Sequence, residues 1–188
     1  MCLTRASLPL LLGLMFHAPI SQAAESKPQS YPIPGHGALE LTPPQEWRSN
    51  IQQPPGELPP SITLRPAAGE AFLVRITPLW NPGQEADVNS DAKIKEAAEN
   101  VKIGIAPTAV EKELQLKQLK GPAAHGYYFT ATDNAPRPGE FACMTSAVVG
   151  VGNLLLSVTI LHQAKEADEV QKALEILQEA RQSRPESN

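Results

Sequence analysis

The stretch from His125 to His162, HGYYFTATDNAPRPGEFACMTSAVVGVGNLLLSVTILH, decides the fold. Three runs rich in β-branched and aromatic residues are separated by two breaker clusters, Asp133–Gly139 and Gly150–Asn153. That pattern predicts an antiparallel meander. Gly152-Asn153 can supply the two positive-φ residues of a tight primed turn. If they do, the register follows: Val151 faces Leu154, Val149 faces Leu156, Ala147 faces Val158, Thr145 faces Ile160 and Cys143 faces His162. One face of this pair is then Val149, Val151, Leu154, Leu156, Val158 and Ile160. The other carries Met144, Val148, Leu155 and Leu161 beside Ser146, Ser157 and Thr159. Two apolar faces require a covering layer on each side. The GxG at Gly150–Gly152 reads as turn chemistry, since no helix follows to present its N-terminus to a phosphate.

Working outward toward the N-terminus, Ala38–Leu41 is a short apolar run and Trp47 sits at the core edge. Gln52–Pro60 reads as loop, because four prolines fix φ and remove donors. Ser61–Arg65 and Ala71–Trp80 alternate as strands, with Phe72, Val74 and Ile76 on one face and Leu73, Arg75 and Thr77 on the other. After a loop over Asn81–Asn89, Ser90 reads as the N-cap of an amphipathic helix from Asp91 to about Ile103, with Ile94, Ala97, Ala98, Val101 and Ile105 at helical spacing. Glu113–Leu119 alternates as a strand. On the far side of the meander, Val170, Ala173, Leu174 and Leu177 mark a second amphipathic helix over Ala167–Gln182. The predicted order is three strands, a helix, four strands and a helix. It implies an α+β fold, an antiparallel β-sheet with an amphipathic helix packed on each face.

The chain has 188 residues, which suits one domain. Residues 1–23 read as a signal peptide: Arg5, the apolar core Leu8–Phe16, then the small-x-small site Ser21-Gln22-Ala23. Cys2 precedes that core and cannot serve as a lipoprotein acceptor. Residues 24–37 read as a flexible leader, 38–182 as the domain, and 183–188 as a polar tail. Cleavage near Ala23 would send the mature chain to the periplasm or out of the cell. It would remove Arg5 alone among charged residues, taking the formal net charge from −4 to −5. A mildly acidic, mixed surface argues against nucleic acid and anionic membrane as partners, and the mature chain shows no integral membrane segment. Cleavage would also leave Cys143 as the one cysteine, so no internal disulfide is expected, and no zinc spacing is present.

Candidate chemistry is sparse. A nucleophile needs a base in reach and a third group to orient it. His36 lies in the Pro/Gly leader as a solvated loop residue, and His125 opens a strand. Cys143 opposite His162 is the one suggestive pair; a buried small cysteine beside a strand-end histidine is the simpler reading. Asp133 and Glu140 bracket the loop DNAPRPGE with Arg137 between them. The loop is longer than a hairpin needs, and Pro136 and Pro138 stiffen it, so Asp133, Arg137 and Glu140 are candidate binding residues. Trp80, before Asn81-Pro82-Gly83, is a fourth. No cofactor, metal or catalytic residue is expected.

The element order, Glu46-Trp47 after an early short strand, Gly-Tyr-Tyr-Phe at 126–129, Gly-Glu-Phe at 139–141 and the Leu-rich strand before a closing helix resemble the PsbP-like α/β/α sandwich. That fold is shared by the Mog-type nuclear-import factors and the DcrB-like bacterial envelope proteins. The resemblance covers about Gly37 to Gln182. It implies an accessory, assembly or binding protein without catalysis, and for an exported chain the expected partner is an envelope protein. It carries no ligand residues, because no shared ligand motif is found. A carrier of a small apolar ligand between sheet and helix is the alternative, and an enzyme the third reading.

Overall fold

The computed structural model describes residues 26–56, 58–69, 71–80 and 89–183. Ten strands and two helices run in the order β1 (Gln29–Pro32), β2 (Ala38–Leu41), β3 (Trp47–Gln52), β4 (Ser61–Pro66), β5 (Phe72–Leu79), α1 (Asp91–Ile105), β6 (Lys117–Lys120), β7 (Ala124–Thr132), β8 (Cys143–Val151), β9 (Leu154–His162), α2 (Ala167–Glu179) and β10 (Arg181–Ser183). An antiparallel sheet of seven strands has the order β3-β4-β5-β9-β8-β7-β6, and a sheet of three has the order β1-β2-β10. The fold is α+β, as the periodicity predicts.

The meander has the expected register. Val151 pairs with Leu154, Val149 with Leu156, Ala147 with Val158, Thr145 with Ile160 and Cys143 with His162. Gly152 takes φ +57° at the turn, a conformation glycine adopts without a Cβ clash. Gly150 does other work than the turn chemistry expected of it. It lies inside β8 opposite Leu155, and a Cβ there would stand 2.7 Å from Cδ1 of Ile94. The missing side chain lets α1 settle onto the sheet.

The two sheet faces are covered differently. On one, Ile94 and Ala98 of α1 bury against Val148, with Tyr127 and Leu155 at the margin. Ser90 caps this helix, its hydroxyl accepting from the Lys93 N–H at 3.5 Å. The Tyr127 hydroxyl donates to Asp91 Oδ2 at 2.9 Å, and that bond holds the phenol above its ordinary pKa. On the other face, Ala173, Leu174, Ile176 and Leu177 of α2 join Val149, Leu156, Val158 and Ile160 in the main core.

That second face also receives the small sheet, which the sequence reading did not foresee. Residues 24–37 are not a flexible leader where they are described. Gln29–Pro32 pairs with Ala38–Leu41, and Tyr31 and Ile33 are buried in the main core. Prolines concealed this strand, yet β1 is an edge strand, where proline is tolerated. His36, in the turn between β1 and β2, stacks on Trp80 and is not a freely solvated residue. The second helix ends at Glu179 and not at Gln182. Ala180 turns the chain to an extended ψ of 140°, and Arg181–Ser183 pairs with β2. Ser183 therefore belongs to the small sheet and not to a polar tail. A third strand missed by periodicity is β3, within which Trp47 alone is buried. The strand expected over Glu113–Leu119 is confined to Lys117–Lys120; Leu114 packs with Phe129 and Ala131 instead. The expected signal peptide at 1–23 and most of the loop at 81–89 lie outside the described residues. No helix among the described residues is long and apolar enough to cross a membrane.

Candidate functional site

Asp133, Arg137 and Glu140 lie together at one end of the seven-stranded sheet. Two of the three have a task within the loop itself. Asp133 Oδ1 accepts from the Ala135 N–H at 2.9 Å, and Glu140 Oε2 accepts from the Arg137 N–H at 3.0 Å. The loop is tied down further by Gln163 Nε2 donating to the Glu140 carbonyl. Asn134 N–H bonds the Thr108 carbonyl, and Val110 N–H the Thr132 carbonyl. Asp133 and Glu140 thus hold a preformed turn, and Arg137 offers it a charge that meets no described carboxylate. Trp80 does not join them. Leu79 pairs with Leu155, so Trp80 follows toward the Gly152-Asn153 end, where its ring lies 4.5 Å from that of His36.

Beside the loop, a cleft of about 190 Å³ opens between the end of α1 and the sheet. Ile105, Ala131, Phe141, Met144 and Leu161 give it an apolar lining, with Thr108 among its polar residues.

Cys143 and His162 are both buried and adjacent in register. The imidazole is engaged elsewhere. Its Nδ1 lies 3.1 Å from the Gln163 carbonyl, which can only accept, so Nδ1 carries the proton. Nε2 then accepts from the Thr145 hydroxyl at 3.2 Å, and Thr130 completes the chain at 2.8 Å from Thr145. His162 has no free nitrogen to offer the thiol. His125 Nε2 bonds the Asn89 carbonyl at 3.0 Å, which anchors the residue before the N-cap of α1. Among the described residues, no three His, Cys, Asp or Glu side chains gather in a way that could hold a metal ion.

A group that sequence reasoning passed over is more distinctive. The register carries the α1 face outward from Val148 and Ser146 of β8 to Thr159 of β9, Arg75 of β5 and Thr63 of β4. On this same face Arg65 lies two residues from Thr63, and Arg48 of β3 pairs directly with Arg65. The packing of α1 is against β7 and β8, and Arg48, Arg65 and Arg75 are all exposed. No described carboxylate lies in ion-pair distance of any of them; the acids Glu46, Glu99, Glu166 and Glu169 pair with lysines instead. Asn50, Gln52 and Thr63 fill the spaces, and a shallow polar depression of about 310 Å³ lies over Arg48 and Arg65. Two guanidinium groups facing each other across a strand pair are ordinarily destabilising. The one signal in the sequence was Arg75, placed by alternation opposite to Phe72, Val74 and Ile76. Arg48 could not be found without β3.

No protein-family model matches the chain, and no curated protein matches it. Among solved structures the chain is similar to cyanobacterial PsbP (CyanoP) from Synechocystis sp. PCC 6803, with 11% identity and a TM-score of 0.48, over 91% of this chain and 100% of that one. A crystal structure from Bacteroides thetaiotaomicron gives 12% identity and a TM-score of 0.47 over 79% of this chain and 46% of the other. LpqN, involved in cell envelope biogenesis of Mycobacterium tuberculosis, gives 11% identity and a TM-score of 0.42, over 84% of this chain and 90% of that one. These likenesses assign no residue a role.

Proposed function

We propose that the chain is an exported, non-catalytic accessory or binding protein of the cell envelope that works through contact with a partner protein. The observation that carries this reading is the open sheet face bearing Arg48, Arg65 and Arg75. Arg48 and Arg65 face each other across the β3–β4 pair, an apposition of like charge that costs stability, and a partner with complementary charge offsets that cost. The preformed loop at Asp133–Glu140 offers a second contact, centred on Arg137, and Trp80 a third at the opposite end. The envelope location rests on residues 1–23 and their expected cleavage near Ala23.

The test has two arms. N-terminal sequencing of the cell-derived protein should begin at Ala24 or one residue later; a start at Met1 sinks the export reading. A tagged mature chain, recovered from the envelope and compared with a variant in which all three arginines are glutamine, should co-elute a protein that the variant loses. Equal recovery by both leaves the arginine face without a role.

The apolar cleft beside Phe141 favours a second reading, carriage of a small apolar ligand. Native mass spectrometry separates the two: a retained lipid or metabolite, displaced by Met144→Trp, supports the carrier.

A further inference from the structure

We infer that the outer edge of β3 receives an extended segment of a partner protein in which acidic and apolar residues alternate. The inference rests on the protein-binding reading above and specifies the partner's chemistry. Strand β3 is the last strand on its side of the seven-stranded sheet. Among the described residues, its one backbone bond outside the β3–β4 ladder joins Trp47 N–H to the Pro44 carbonyl. Among the described residues nothing else pairs with its outer edge, which leaves it open to strand addition.

The two faces of this edge ask for different side chains. On the α1 side stand Arg48, Asn50 and Gln52, with Arg65 directly across from Arg48. On the core side stand Trp47, Ser49 and Ile51. Ser49 already donates to Gln29 Oε1 at 2.7 Å. Ile51 is 37% exposed, although its cross-strand partner Ile62 is fully buried. An added strand sends successive side chains to opposite faces. Its neighbours directly opposite lie about 4.5–5.5 Å away at Cβ, within reach of a guanidinium. A carboxylate directly opposite Arg48 then meets its guanidinium, with the charge of Arg65 one strand further in on the same face, and apolar side chains on the other face cover Ile51. An anionic membrane fits less well. Pressed onto the arginines it cannot reach Ile51, which points the opposite way. An extended segment meets both faces at once.

The probe is a synthetic peptide of alternating Glu and Val, titrated into the mature chain. Its controls are a Lys/Val alternation, a peptide with its Glu and Val in separate blocks, and phosphatidylglycerol vesicles. Binding is followed by calorimetry and by amide exchange at residues 48–52. The alternating acidic peptide should bind, more weakly as salt rises, and should protect amides of β3. Arg48→Glu with Arg65→Glu should weaken it about tenfold or more and admit the Lys/Val peptide. If that double variant does not fold, Arg48→Gln alone should still weaken binding several-fold. Equal binding of the blocked peptide, unchanged binding by a folded variant, no protection within 48–52, or binding of vesicles in place of peptide each overturns the inference. Should the tagged chain then still recover an arginine-dependent envelope partner, the protein-binding reading survives and only the β3 edge is lost.

Discussion

Glu111 takes both hydrogen-bond donors of Thr132. Its carboxylate accepts from the backbone N–H at 2.9 Å and from the hydroxyl at 2.7 Å. This clamp fastens the end of β7 to the connection after α1, next to the loop that begins at Asp133. The backbone bond is the chief reason that the Glu111 carboxyl sits below its ordinary pKa.

A carboxylate lowered in this way stabilises the fold above the pKa it has when unfolded, and the contribution is lost as pH falls through the folded value. Glu111→Gln should therefore cost a few tenths to about 1 kcal/mol at neutral pH, discounted because the carboxylate is only part-buried and screened by solvent. The difference from wild type should shrink as pH falls from the ordinary glutamate range through the lower folded value. Thermal melts of both proteins across that range check it. A gap that does not change with pH would show that the charge is irrelevant.

Gly150→Ala should destabilise the fold by about 0.5–1.5 kcal/mol, because its Cβ displaces only the Cδ1 tip of Ile94 from its place. Ile94→Val removes the Cδ1 atom that it meets. The double variant should then be more stable than the sum of the two single changes allows. Urea unfolding of the four proteins measures the coupling.

Arg65→Thr should leave the fold unharmed or raise its stability by about 0.2–1 kcal/mol, since it relieves the apposition with Arg48. A large loss of stability would mean that the arginine serves the fold and not a partner.

Cys143 is buried and its neighbour His162 spends both nitrogens elsewhere. A thiol reagent should label it slowly in the native protein and at once after denaturation. Rapid native labelling would mean a thiolate that this hydrogen-bond pattern does not provide for.

The centre of the fold was readable because its residues obey short-range rules. Gly152-Asn153 sets the turn, the turn sets the register, and the period of two sorts the side chains. The first helix announced itself through Ser90 and the spacing of Ile94 and Ala98. The peripheral strands β1, β3 and β10 obey no such rule. Each is six residues or fewer, is crossed by proline or dominated by polar residues, and takes its form from a neighbour. Arg181 and Gln182 continued the helical pattern of α2 by composition; pairing with β2 overrides it. The candidate loop was correctly placed in sequence, but the local work of Asp133 and Glu140 was invisible, because a carboxylate that caps its own turn has the same composition as one that waits for a ligand. The arginine face was hidden for the opposite reason. Its members are 17 and 10 residues apart along the chain, from 48 to 65 to 75, and sheet register alone brings them together.

The middle strand of the small sheet, β2, has partners from both ends of the described chain. β1 lies close to it in sequence, so that hairpin can close early. β10 does not: the Ser183 hydroxyl meets the Ala38 carbonyl across a separation of 145 residues. Bringing such distant segments together has an entropic cost that local contacts do not repay until α2 has docked. Assembly therefore has a built-in order. While the chain emerges with its N-terminus first, Ala38, Leu39 and Glu40 keep one side of their strand unpaired until residues 181–183 arrive.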